Sequence, residues 1–301
     1  MKRKNLILLL FLFLSFSLYG QKSSMKVISY NILNGFDWGK DTSREDKLAS
    51  WISKQKPDVV ALQELCGFTQ EKLEQFAKKW GHNYAVILKN EGYPVGISSN
   101  KPIELKEKLQ EGLWHGMLHC KTWNTDFFVV HLSPSDWKFR KQEAEIITQR
   151  IESCCTETDP YIVLGDFNAV SPFDRDYNLR NPYQLERMRK SDEKSKKYKN
   201  LRDGDYDYSV LSRFLSVPLT DVCLNFIDPK KRTTCPTPIN VPKWLSIEEM
   251  KITRSRIDYI LASSPLAIKC ISAEIFNGKE TYYLSDHYPV MAEFDLISVC
   301  P

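Results

Sequence analysis

Eight polar residues stand where apolar runs stop: Asn31, Glu64, His131, Asp166, Asn168, Asp258, Asp286 and His287. Val59-Val60-Ala61-Leu62-Gln63 closes on Glu64, and Phe127-Phe128-Val129-Val130 closes on His131. Tyr161-Ile162-Val163-Leu164-Gly165 closes on Asp166, with Asn168 two residues on. Asp258 opens a late apolar run, and Asp286-His287 precedes the last one. Each has a plain reading on its own. Asn31 lies beside the turn signal Asn34-Gly35, and Glu64 fits a solvated strand end. Taken together they are not explained by packing, because carboxylates, amides and imidazoles are expensive to bury without partners. They supply oxygen ligands that suit Mg²⁺ or Mn²⁺ better than Zn²⁺, since no thiolate is placed to join them. A metal, a base for water, donors for phosphoryl oxygens and help for a leaving group are what phosphoester hydrolysis requires.

Strand and helix patterns must bring these residues together. Met25 to Leu33 alternates, with Val27, Ser29 and Asn31 on one face and Ile28, Tyr30 and Ile32 on the other. Helical stripes run through 42–55 (Leu48, Trp51, Ile52), 69–80 (Leu73, Phe76, Ala77) and 135–154 (Ala144, Ile147, Ile151). Ser43 with Asp46 reads as the cap of the first. Short strands are expected at 84–88, 95–99, 116–121 and 126–132, and closing strands at 257–261, 268–276 and 290–294. That order predicts a layered α/β sandwich rather than a strict βαβ series.

The chain has 301 residues, 42% of them hydrophobic, enough for a full core. Lys2, Arg3 and Lys4 precede an apolar run from Leu6 to Leu18, the pattern of a signal peptide over 1–20. Removing those three positives from a net charge of +4 leaves about +1, so global charge does not argue for a nucleic-acid partner. Export and an even 8 cysteines permit one or two disulfides, with Cys223–Cys235 as one closure. No CxxC pair reads as a zinc site. Residues 174–215 look like a charged insert, with Lys and Arg concentrated over 186–202. The insert fits a solvated cap, or a surface that meets phosphates.

The motifs Ser29-Tyr30-Asn31-Ile32, Leu62-Gln63-Glu64, His131-Leu132, Gly165-Asp166-Phe167-Asn168, Arg256-Ile257-Asp258-Tyr259-Ile260 and Ser285-Asp286-His287-Tyr288-Pro289-Val290 occur in this order over nearly the whole chain. In this the sequence resembles the endonuclease/exonuclease/phosphatase superfamily, the deoxyribonuclease-I-like fold. The resemblance implies a four-layer α/β/β/α sandwich of two packed mixed β-sheets flanked by helices, spanning residues 25–299. It implies Glu64, Asn31 and Asp286 as ligands of Mg²⁺ or Mn²⁺. His287 would be the general base, oriented by Asp258. Asp166 and Asn168 would position water and phosphate, and His131 would stabilise the transition state or protonate the leaving group. Glu91 falls where some members place a carboxylate that holds this histidine. An Asp–His pair does make an imidazole more basic, which suits that role.

The implied activity is that of an exported, metal-dependent phosphoester hydrolase, monomeric and without an obligate protein partner. Nucleic acids, phospholipid head groups and sugar phosphates are the candidate substrates. Within the superfamily, His131 and export lean towards the deoxyribonuclease-I, sphingomyelinase and inositol-phosphatase branches, and away from abasic-site repair. A silent binding protein on the same fold is disfavoured, since every catalytic residue type is present.

Overall fold

A computed structural model describes residues 24–296, apart from 242 and 244. The leader, the last residues of the expected domain and Cys300 lie outside them.

The first half opens with β1 (Ser24–Asn31), a short helical segment α1 (Leu33–Gly39) and α2 (Thr42–Gln55). It continues through β2 (Val59–Gln63), α3 (Gln70–Lys78), β3 (Tyr84–Ile87) and β4 (Gly96–Ser99). The second half runs β5 (Glu104–Leu109), β6 (Met117–Thr122), β7 (Thr125–His131), α4 (Trp137–Cys154) and β8 (Tyr161–Asp166). Next come the helices α5 (Arg175–Leu179), α6 (Pro182–Lys194) and α7 (Ser209–Ser216), then β9 (Leu219–Asp221) and α8 (Ile247–Ile252). β10 (Asp258–Ser263), α9 (Ser264–Ala267), β11 (Cys270–Ile275) and β12 (Val290–Asp295) close the chain.

The strands form two six-stranded mixed sheets, ordered β11-β12-β1-β2-β4-β3 and β5-β6-β7-β8-β10-β9. Three cores result, and they make four layers. Val27, Val59, Ala61, Val129, Leu164 and Ile260 pack between the sheets. Ile28, Tyr30 and Val60 face Leu48, Trp51 and Phe76 of α2 and α3. Phe128, Val130 and Val163 face Ala144, Ile147 and Phe214 of α4 and α7. The alternation in β1 is the cause: even-numbered residues meet helices, while odd-numbered ones enter the sandwich and turn polar at Ser29 and Asn31. This is the expected α/β/β/α sandwich.

Local details correct the sequence reading. The cap of α2 is Asp41, which accepts from the Arg44 N–H at 3.0 Å; Ser43 and Asp46 lie inside the helix. The seven described cysteines are all free thiols. Cys223 faces the inter-sheet core, whereas Cys235 lies against Ser255 near the site, with its thiol 3.3 Å from the Ser255 hydroxyl. Their surroundings differ, and no bridge joins them. Among the described residues no helix is long and apolar enough to cross a membrane.

Candidate active site

The eight residues gather at one edge of the sandwich because of strand direction. β1 and β2 run parallel and finish together, with Asn31 level with Gln63. β7 and β8 do the same in the other sheet, with His131 level with Asp166. β10 runs against β8, so its first residue, Asp258, lies opposite Asp166. β12 runs against β1, so the loop before it passes over the end of β1. Ser285 fixes that loop: its hydroxyl donates to the Asn31 carbonyl at 2.6 Å, and its own carbonyl accepts from Thr237 Oγ1 at 2.5 Å. Simple alternation would send Asp286 and His287 to opposite sides. The bend at 286–287 instead sets both against the site, where Asp286 acts on Glu64 and on His287.

Gly165 allows β8 to approach β7 closely. Its φ is +143°, and a Cβ there would meet the Val130 carbonyl oxygen at 1.9 Å. Glu64 and Asn168 follow their strands with φ of 61° and 48°, left-handed values uncommon for residues other than glycine. Each turns a side chain back over its strand end.

Asn31 links the two sheets. Its Nδ2 donates to Glu64 Oε1 and to Asp166 Oδ2, both at 3.1 Å. Glu64 Oε2 accepts from the Asn34 N–H at 2.7 Å. His287 Nδ1 lies 2.8 Å from Asp258 Oδ2, and its Nε2 lies 3.8 Å from Asp166 Oδ2. His131 Nε2 is 3.6 Å from the same Asp166 oxygen. The Asn168 backbone N–H donates to Asp166 Oδ1 at 2.9 Å, and its amide donates to the Leu132 carbonyl at 3.0 Å.

Burial and charge tune these groups. Burial, then the charge of Asp286, raises the pKa of Glu64. Burial, then Asp258, raises that of Asp166. Burial opposes charge on His287, but Asp258, Asp166 and Asp286 together override it and hold its pKa well above 6.5. Burial and the neighbouring histidines 115 and 287 depress His131, which is therefore neutral near pH 7. Its Nδ1 is buried with no hydrogen-bond partner.

The donor set fits a hard divalent cation. Glu64, Asp166, Asp258 and Asp286 crowd one edge, and among the described residues no lysine or arginine pairs with any of them. Ligand atoms of Asp166, Asp258 and His287 lie within 4.8 Å of one another, close enough to hold an ion. Glu64, with Asn31 and Asp286 beside it, is a second place for one.

Glu91 does not join the group. It is exposed on the loop after β3, and no hydrogen bond links it to His131. The space beside His131 is filled by His115, stacked on it with ring centroids 4.1 Å apart. Several supporting residues have no motif to announce them. Arg44 donates to the carbonyls of Ile32, Leu33 and Leu284, tying α2 to both site loops. Glu143 accepts from the N–H groups of Trp114 and Ser133, each at 2.8 Å, and burial pushes its pKa up to about 7. Buried Arg256 pairs with Asp174 and Asp221 at 2.7 Å, tying the turn before α5 to the end of β9. A polar or charged residue on the buried face of a helix was the available signal for Arg44 and Glu143. From α6, Gln184 and Arg187 line a hollow of about 320 Å³ with Asp286 and His287.

Residues 28–287 match the model of the endonuclease/exonuclease/phosphatase family. The chain belongs to that family. It is a phosphoester hydrolase of that metal-dependent kind. Exodeoxyribonuclease III of Haemophilus influenzae is 27% identical over 290 residues, which span 90% of this chain and 100% of that protein. An AP endonuclease from Archaeoglobus fulgidus superposes with a TM-score of 0.67 at 17% identity, over 90% of this chain and 99% of that one. A 3′ phosphatase from Neisseria, bound to a product DNA hairpin, gives 0.64 at 19% identity over the same shares.

Proposed function

We propose that the chain is an exported, Mg²⁺- or Mn²⁺-dependent phosphodiesterase that acts on nucleic acid. The observation that carries this is the His287–Asp258 pair at 2.8 Å, whose free Nε2 faces the space shared by Asp166 and His131. Asp258 accepts the Nδ1 proton, which leaves Nε2 as the basic nitrogen that takes a proton from the attacking water. Asp166 and Asn168 hold that water and a phosphoryl oxygen. Neutral His131 gives a hydrogen bond to the oxygens on which charge develops. Glu64, Asn31 and Asp286 would hold the cation, which offsets the phosphate's charge. Nuclease and 3′ phosphatase relatives support a nucleic-acid substrate. Export rests on the leader-like stretch Lys2 to Leu18 and is checked by sequencing the N-terminus of protein recovered outside the cytoplasm.

The test is a screen of supercoiled DNA, RNA, sphingomyelin and inositol phosphates with Mg²⁺ or Mn²⁺. We expect DNA or RNA cleavage, lost on chelation. His287→Ala should lower kcat by about 10²- to 10⁴-fold, and Glu64→Gln should raise the Mg²⁺ concentration needed for half activity. Wild-type rates in both variants would refute the assignment; turnover confined to sphingomyelin or inositol phosphates would redirect the substrate.

A further inference from the structure

An arc of aromatic rings starts at His131 and leads out of the site to solvent. His115 stacks on His131, and Tyr93 lies 5.4 Å from His115, centroid to centroid. Trp38 packs edge-on to Tyr93 at 6.2 Å. On the other side Trp114 lies 6.5 Å from His115 and meets Tyr198 and Phe139 edge-on, at 5.8 and 5.6 Å. Trp38 is 50% exposed, and Tyr93 and Trp114 are each 37% exposed. The arc adjoins the catalytic edge, since the Tyr93 hydroxyl feels the charge of Glu64.

We propose that this arc is a stacking platform for unpaired nucleobases, so that the substrate is a single-stranded stretch whose phosphate enters the site. The proposal rests on the reading of that site as a nucleic-acid phosphodiesterase. Three features favour it. Each exposed tryptophan is braced edge-on by another ring, so it presents a held face rather than a mobile tip. Cations border the rings: Lys89 beside His115 and Lys197 at 4.7 Å over Tyr198. Aromatic faces interleaved with positive charge bind single strands without reading sequence. A duplex keeps its base faces stacked inside and offers such rings nothing. A membrane anchor would present apolar side chains that insert on one face, whereas these rings are half-buried and packed against one another.

The test uses the full chain in EDTA, so that binding is read without cleavage. Anisotropy compares a labelled oligo-dT strand with a duplex of equal length, for wild type, Trp38→Ala, Trp114→Ala and the two Phe variants. The single strand should bind more tightly than the duplex. Each Ala variant should weaken it by about ten-fold, and each Phe variant should restore most of the loss. Hydrolysis of bis(p-nitrophenyl) phosphate in Mg²⁺ should be unchanged in all four variants. Equal binding of duplex and single strand, or Ala variants that bind oligo-dT like wild type, would overturn the proposal. So would an Ala variant whose only defect is sedimentation with phosphatidylcholine vesicles. Failure of wild type to hydrolyse the small diester would instead count against the reading of the site, and the anisotropy result does not depend on it.

Discussion

One oxygen, Asp166 Oδ2, has Asn31 Nδ2 at 3.1 Å, His131 Nε2 at 3.6 Å and His287 Nε2 at 3.8 Å. Two imidazoles thus face one carboxylate in opposite states. His131 is held neutral by burial and by its histidine neighbours, while His287 is held basic by the surrounding carboxylates. A base works only when unprotonated, so activity should rise with pH through the raised pKa of His287. Among the surrounding carboxylates, Asp258 raises it most. Asp258→Asn should therefore move the acidic limb of the kcat/KM profile to lower pH, and should lower kcat because the amide no longer fixes the tautomer. A limb that stayed in place or moved to higher pH would contradict this role. At this scale the sequence was informative wherever an apolar run ended in a polar residue, which holds for Glu64, His131 and Asp166. It was silent on His115, whose stacking on His131 joins the start of β6 to the end of β7 and leaves no local pattern.

At the scale of elements, the site depends on loops that are tied down from outside it. Arg44, buried on α2, gives three hydrogen bonds to carbonyls, one of them that of Leu284 just before Ser285-Asp286-His287. Arg44→Met would leave those carbonyls unpaired. We expect a loss of about 3 kcal/mol in urea unfolding, with a fall in kcat as the Asp286–His287 loop loosens. Unchanged stability would show that water replaces the guanidinium. Helices and buried strands were legible because their periods are strong, and α2 falls on the expected residues. β5 was missed: Glu-Leu-Lys-Glu-Lys-Leu is a charged, mostly exposed edge strand whose pattern serves to deter further pairing and does not mark a core. The Cys223–Cys235 closure failed for a related reason, since cysteine number and spacing carry no record of which face each thiol occupies.

Across the whole molecule, the two sheets share one order of pairing: antiparallel, antiparallel, parallel, antiparallel, antiparallel. Each parallel pair delivers two site residues, Asn31 and Glu64 from one sheet and His131 and Asp166 from the other. The described residues begin and end in the same sheet, with Ser24 opposite Asp295. Seven residues of extended strand separate that point from Asn31, roughly 23 Å at the rise of a strand. Covalent order and catalytic geometry are therefore separable. A circular permutant, closed by a short linker from Asp295 to Ser24 and reopened between exposed Glu157 and Thr158, cuts no strand or helix. It should keep its circular-dichroism spectrum and most of its turnover on a small diester; a collapsed spectrum would show that the order of synthesis matters after all. The same adjacency suits the protein to immobilisation, because a support grafted at that seam would leave the catalytic edge pointing away from it.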